Sequence, residues 1–130
     1  TEIERLVKQR VGQDIFRNAL IVFWQGRCAV TSLSVLPLLR ASHIKPWADC
    51  ENNQERLGVF NGLLLAPHLD ALFDGGWITF DDAGRLVKSP LLDDASVQLL
   101  GVNSELKLTH LAADHHPYLE YHRQHVFKKA

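Results

Sequence analysis

The stretch from Leu38 to Asp74 constrains the fold more than any other part of the chain. Leu38-Leu39-Arg40-Ala41-Ser42-His43-Ile44 reads as a β-strand that Pro46 halts, because proline has no amide donor for a ladder. Leu63-Leu64-Leu65 reads as a second, buried strand, introduced by Asn61-Gly62. Pro67 then suits the first turn of a helix expected over His68 to Phe73 and stopped by Gly75-Gly76. A strand, a polar loop with one helical turn near Glu55, a second strand and a helix must therefore pack as one small unit.

The flanks supply helices and one further ribbon. Thr1-Glu2-Ile3-Glu4 resembles a capping box, and Ile3, Leu6 and Val7 follow at helical spacing until Gly12 interrupts. A second helix is expected from Gln13 to a glycine cap at Gly26, with Ile15, Phe16, Ala19, Leu20 and Phe23 on its apolar face. Cys28–Val30 reads as a short strand. Trp77–Phe80 and Arg85–Lys88 flank Asp81-Asp82-Ala83-Gly84 as a β-hairpin. Short helices are expected at Asp93–Leu100 and Pro117–Phe127. The class is α+β, helices around small antiparallel ribbons, and 130 residues at 46% hydrophobic make one domain with one core.

Composition narrows the setting. No apolar run approaches the roughly 18 residues that cross a bilayer, and no signal pattern opens the chain. A chain that opens on Thr1 and contains no Met is expected to be a piece of a longer protein or to have lost its initiator. Two cysteines, Cys28 and Cys50, build neither a disulfide framework nor a CxxC zinc ribbon, so a reducing, cytoplasmic setting is the expectation. The net charge of −1 carries no global nucleic-acid signature. Its distribution is uneven: seven basic residues face four acidic ones up to Cys50, and acids gather after it.

The chemistry-bearing residues fall on the central unit. His43 closes one strand, Asn61 opens the next, and Asp70 and Asp74, four apart, share one helical face. His68 lies about 200° round from Asp70 on a regular helix and joins them only if the first turn is irregular. Carboxylates suit a hard dication that keeps several waters. A neutral imidazole titrates near working pH and can take a proton from water. Phosphodiester hydrolysis needs that base together with a charge that stabilises the phosphate and the leaving oxygen.

Arg40-Ala41-Ser42-His43-Ile44-Lys45-Pro46-Trp47, Glu55-Arg56-Leu57, Asn61-Gly62-Leu63-Leu64-Leu65 and His68-Leu69-Asp70-Ala71-Leu72-Phe73-Asp74 together resemble the HNH endonucleases, in the bacterial restriction-type branch without a zinc ribbon. Arg10-Val11-Gly12-Gln13, Gly26-Arg27-Cys28-Ala29-Val30-Thr31 and Tyr121-His122-Arg123 extend the likeness. The resemblance implies a ββα-metal core with flanking helices, binding one divalent ion: Mg²⁺ first, with Mn²⁺, Ni²⁺ or Zn²⁺ as alternatives. It implies His43 as general base, Asn61 as the residue supporting hairpin and base, and Asp70 and Asp74 as ligands. Ser42 stands where many relatives place a metal-binding acid or histidine, and His68 stands two residues before the position of the family's last histidine. Ser42 and His68 complete the candidate ligand set.

Arg40, Lys45, Arg10 and Arg17 are the candidate DNA contacts. The resemblance implies DNA as substrate, a DNA-recognition domain elsewhere in a longer chain, and a homodimer where both strands are cut. Two other readings fit the sequence. One is a degenerate HNH fold that binds DNA or protein without cutting, favoured by Ser42. The other is a metal-dependent hydrolase of smaller phosphate esters.

Overall fold

The first helix, α1, is a single rod over Glu2–Phe23, started by the Thr1 hydroxyl, which accepts from the Glu4 amide at 3.2 Å. The break expected at Gly12 is absent. Gly12 is there for close approach: a Cβ would lie 3.2 Å from the Trp47 ring and 3.3 Å from Leu57. The rod ends where Gln25 and Gly26 turn left-handed, and the Gly26 amide returns to the Ile21 carbonyl at 2.8 Å. The computed structural model describes residues 1–130.

Strands β1 (Arg40–His43) and β2 (Gly62–Leu65) pair antiparallel, with His43 opposite Gly62 and Ser42 opposite Leu63. All four residues of β2 are buried. The ribbon lies between α1 on one face and α3 (Pro67–Asp74) on the other. That double cover explains why Leu63-Leu64-Leu65 runs continuously apolar rather than alternating. The alternation of β1 then divides its residues: His43 and Ala41 face α1, while Arg40 and Ser42 face α3.

The loop from β1 to β2 holds a turn at Trp47–Asp49 and the short α2 (Asn53–Leu57), capped by Asn52 onto the Glu55 amide at 2.9 Å. Helix α3 buries Leu69, Leu72 and Phe73. At its end Gly76 has φ +75, and a Cβ there would run into the Val126 carbonyl. Strands β3 (Ile78–Phe80) and β4 (Leu86–Lys88) form the expected hairpin. Its turn is fixed by Asp81 Oδ1, which accepts from the Ala83 and Arg85 amides at 2.9 Å each. Helices α4 (Asp94–Leu100) and α5 (His116–His125) complete the chain, and α5 packs on β3.

Cys28–Val30 is a turn, not a strand. The Cys28 sulfur accepts from the amides of Val30 (3.5 Å), Thr31 (3.4 Å) and Ala66 (3.3 Å), so the Val30 amide that a ladder would use is taken by the thiol. Both cysteines are free and buried. No helix of the chain is long and apolar enough to cross a membrane.

Candidate active site

His43 sits half-buried at the end of β1. Its Nε2 lies 2.7 Å from the Arg56 carbonyl oxygen. A carbonyl only accepts, so Nε2 carries the proton and Nδ1 presents a lone pair. The ring stacks on Phe16 with centroids 3.8 Å apart and planes 12° from parallel, while Trp47 meets it edge-on at 5.6 Å. Burial holds its pKa below the ordinary histidine value, opposed by the Arg56 carbonyl and by the charge of Asp74. The imidazole is therefore neutral at pH 7 and lies within the field of that carboxylate.

Across the ribbon, Asp70 is half-buried on α3. Desolvation raises its pKa; the Ser42 hydroxyl opposes the rise, Asp74 adds to it, and Arg40 opposes it. Those four side chains thus share one neighbourhood. Ser42 Oγ is buried without a hydrogen bond of regular geometry, although its hydroxyl stands near enough to favour the ionised Asp70. Asp74 and Arg40 are exposed beside it. Two neighbouring carboxylates and an orphaned hydroxyl make an oxygen-rich set that suits a hard divalent ion. No three His, Cys, Asp or Glu side chains converge anywhere in the chain, so an ion held here would draw its other ligands from hydroxyl, backbone or water.

The structure keeps His68 away from this set. Because the first turn of α3 is regular, His68 is exposed at its second position, on the side opposite Asp70. Asn61 is fully buried and faces its own loop. Its Oδ1 accepts from the Lys45 amide at 2.7 Å, and its Nδ2 donates to the carbonyls of Glu55 (3.0 Å) and Lys45 (3.2 Å). Asn61 thereby fixes the segment that presents the Arg56 carbonyl to His43.

The cations expected on DNA divide into two pairs. Lys45 is little exposed and is committed to Glu55 at 2.9 Å, with its ammonium 5.0 Å from the Tyr121 ring centre. Arg17 spends its guanidinium on the carbonyls of Leu39 (2.7 Å) and Leu36 (3.1 Å), tying α1 to the entrance of β1. Neither is free for phosphate. Arg40 and Arg10 are exposed. A cavity of about 310 Å³ opens beside His43, lined also by Gln13, Phe16, Arg17, Ala41 and Trp47. The larger cavity, about 610 Å³ between α1 and α2, reaches neither the imidazole nor the carboxylates and lies apart from the chemistry.

Residues 28–81 match the HNH endonuclease family model. That segment is similar to an HNH endonuclease core. The match covers both ribbon strands, the loop between them and α3, so His43, Asn61, Asp70 and Asp74 all lie within the HNH segment, while α1 lies outside it. A solved structure titled a modification dependent TagI restriction endonuclease has the same fold, with TM-score 0.52 at 19% identity over 82% of this chain. The chain spans 35% of that structure's length. No curated protein matches the sequence.

Two buried histidines beyond the matched segment escape a reading of the sequence alone. His122 stacks on Phe73 at 3.8 Å, donates from Nε2 to the Phe73 carbonyl at 2.9 Å and accepts on Nδ1 from the Thr79 hydroxyl at 2.8 Å. His115 is fully buried, accepts from the Ala112 amide at 2.9 Å, and is ringed by Phe23, Trp24 and Phe60. Nothing in their local sequence distinguishes them from the exposed histidines. Only the spacing of His122 from Leu119, on one face of a helix, hints at the core.

Proposed function

We propose that this chain hydrolyses DNA phosphodiester bonds, with His43 as general base and with Asp70 and Asp74 holding one divalent cation beside Ser42. The observation that carries the reading is the bond from His43 Nε2–H to the Arg56 carbonyl, which leaves a neutral Nδ1 free to take a proton. A divalent ion held there supplies Lewis-acid stabilisation of charge on the scissile phosphate and the leaving oxygen. The hard oxygen donors favour Mg²⁺, with Mn²⁺, Ni²⁺ and Zn²⁺ as alternatives.

The chain's own residues do the remaining work. His43 Nδ1 takes the proton of the attacking water, and the imidazolium so formed is stabilised by the Arg56 carbonyl and by Asp74. Asn61 keeps that carbonyl in place through its bond to the neighbouring Glu55 carbonyl. Arg40, exposed beside Asp70, offers a cation to phosphate, and Arg10 offers another along α1. The structural neighbour's title names a restriction enzyme, which agrees with DNA as the substrate. A DNA-recognition domain elsewhere in a longer chain, and pairing of two copies to cut both strands, belong to the same proposal.

Plasmid nicking with Mg²⁺ or Mn²⁺, run beside His43→Ala, tests it. The expected result is nicking that falls by roughly two to four orders of magnitude in the variant. Cleavage that survives the substitution, or no cleavage with any divalent ion, overturns the catalytic role. A second reading, an HNH fold that binds DNA without cutting it, draws support from Ser42, a hydroxyl among the candidate ligands. Retained DNA binding without nicking would select it. Hydrolysis of nucleoside phosphate esters in preference to plasmid would select the small-ester reading.

A further inference from the structure

We infer that Phe16, on a helix outside the segment matched to the family, is a positioning residue for His43 and makes α1 part of the catalytic unit; this rests on the nuclease reading above.

Three contacts fix the imidazole, and each removes a different freedom. The Arg56 carbonyl binds Nε2 and sets the tautomer. Trp47 closes the ring edge at 88°. Phe16 covers one face at 3.8 Å, close to van der Waals contact, and blocks rotation out of plane. Without the phenyl face the first two contacts leave the ring free to tilt about its Nε2 bond.

Phe16 reaches the ring because of its surroundings. It is 1% exposed, and its α1 neighbours Gly12 and Leu20 are buried with it. Opposite His43 in the ribbon stands Gly62, where a Cβ would run into Phe16 Cζ and lie 2.7 Å from a Leu20 methyl. Any side chain at that position would lift α1 from the ribbon. The glycine of Asn61-Gly62 thus admits the phenyl ring, a role separate from turn formation. Arg17, the next residue on α1, ties the helix to the Leu36 and Leu39 carbonyls and fixes the height at which Phe16 sits.

The test compares two buried residues on one helix. Phe16→Leu keeps an apolar side chain but removes the flat face, while Leu20→Val trims the core without touching His43. Both are checked for a cooperative thermal transition, and variants are compared at temperatures where each is folded. In Phe16→Leu, kcat for plasmid nicking is expected to fall roughly tenfold with KM within about twofold, because a loosened base misplaces the proton acceptor without changing DNA binding. In Leu20→Val, kcat should stay near that of the parent. The carbon-bound protons of His43, read by NMR without DNA or metal, should sit upfield in the parent from the phenyl ring current and move downfield in Phe16→Leu.

An unchanged kcat in Phe16→Leu, or an equal fall in Leu20→Val, overturns the positioning role. If the parent cuts no DNA, the nuclease reading falls by itself. The His43 resonances then decide the stack: a shift confined to Phe16→Leu upholds Phe16 as the residue that holds the ring, and no shift overturns it.

Discussion

Lowering the pH should unlatch α5 through His122, and the structure sets the size of the effect. Burial pushes the His122 pKa down to about 4, Arg123 adds to the depression, and the Phe73 carbonyl opposes it. In the unfolded chain the group titrates near 6.5. Between those values the unfolded state binds the proton and the folded state does not, so stability is full above pH 6.5 and falls as the pH drops toward 4. The loss from this one group is about 2.5 kcal/mol by pH 4.5, a large share of the 5–15 kcal/mol typical of a domain. Urea unfolding followed by tryptophan fluorescence at pH 7.5 and 4.5 measures it, with His122→Gln as reference. The variant is the less stable at pH 7.5, because the Thr79 and Phe73 bonds are lost or weakened, but it lacks the titrating ring. The gap between the two proteins should therefore narrow by about 2.5 kcal/mol on acidification. A gap that stays constant would mean that His122 is not held neutral, and the reasoning from its burial would fail.

Other substitutions probe the site and the backbone. Asn61→Ala strands the Lys45 amide and two carbonyls, and should cost about 3 kcal/mol in urea unfolding; Asn61→Asp, which sets a buried carboxylate against those two carbonyls, should cost at least as much. Asp70→Asn and Asp74→Asn should each weaken Mn²⁺ binding, measured by calorimetry, by tenfold or more, on the order of 1.4 kcal/mol. Because burial holds His43 below its ordinary pKa, the rate of nicking should be level at pH 7 and fall only below about 6.5, as the base becomes protonated; a falling limb above pH 7 would contradict the assignment. Gly76→Ala, placed at φ +75 against the Val126 carbonyl, should cost more than about 1 kcal/mol and loosen the carboxy-terminal residues, seen as faster proteolysis there.

The central unit was legible because its signals agree. Proline stops, an unbroken leucine strand and carboxylates at helical spacing all point to ribbon plus helix, and the hairpin at Asp81–Gly84 carries its own turn chemistry. What misled was context that sequence does not carry. Gly12 looks like a helix break until Trp47 and Leu57 are seen to need the space beside it. Cys28 looks like a strand residue because periodicity is blind to a thiol that gathers amides. Lys45 and Arg17 carry free charges in one dimension and committed ones in three. Asp70 and Asp74 were recognisable as a pair by spacing, whereas the phenyl ring on the His43 imidazole depends on a helix more than twenty residues upstream and on a glycine across the ribbon.

The amino-terminal half of α1 leaves Ile3, Leu6, Val7 and Val11 at least half exposed, and burial begins only at Gly12. Amide protons on the first three turns should therefore exchange by local fraying, while those around Phe16 and Leu20 wait for the whole domain to open. One continuous helix thus holds two stability regimes, and the boundary between them falls one turn before the ring that faces His43.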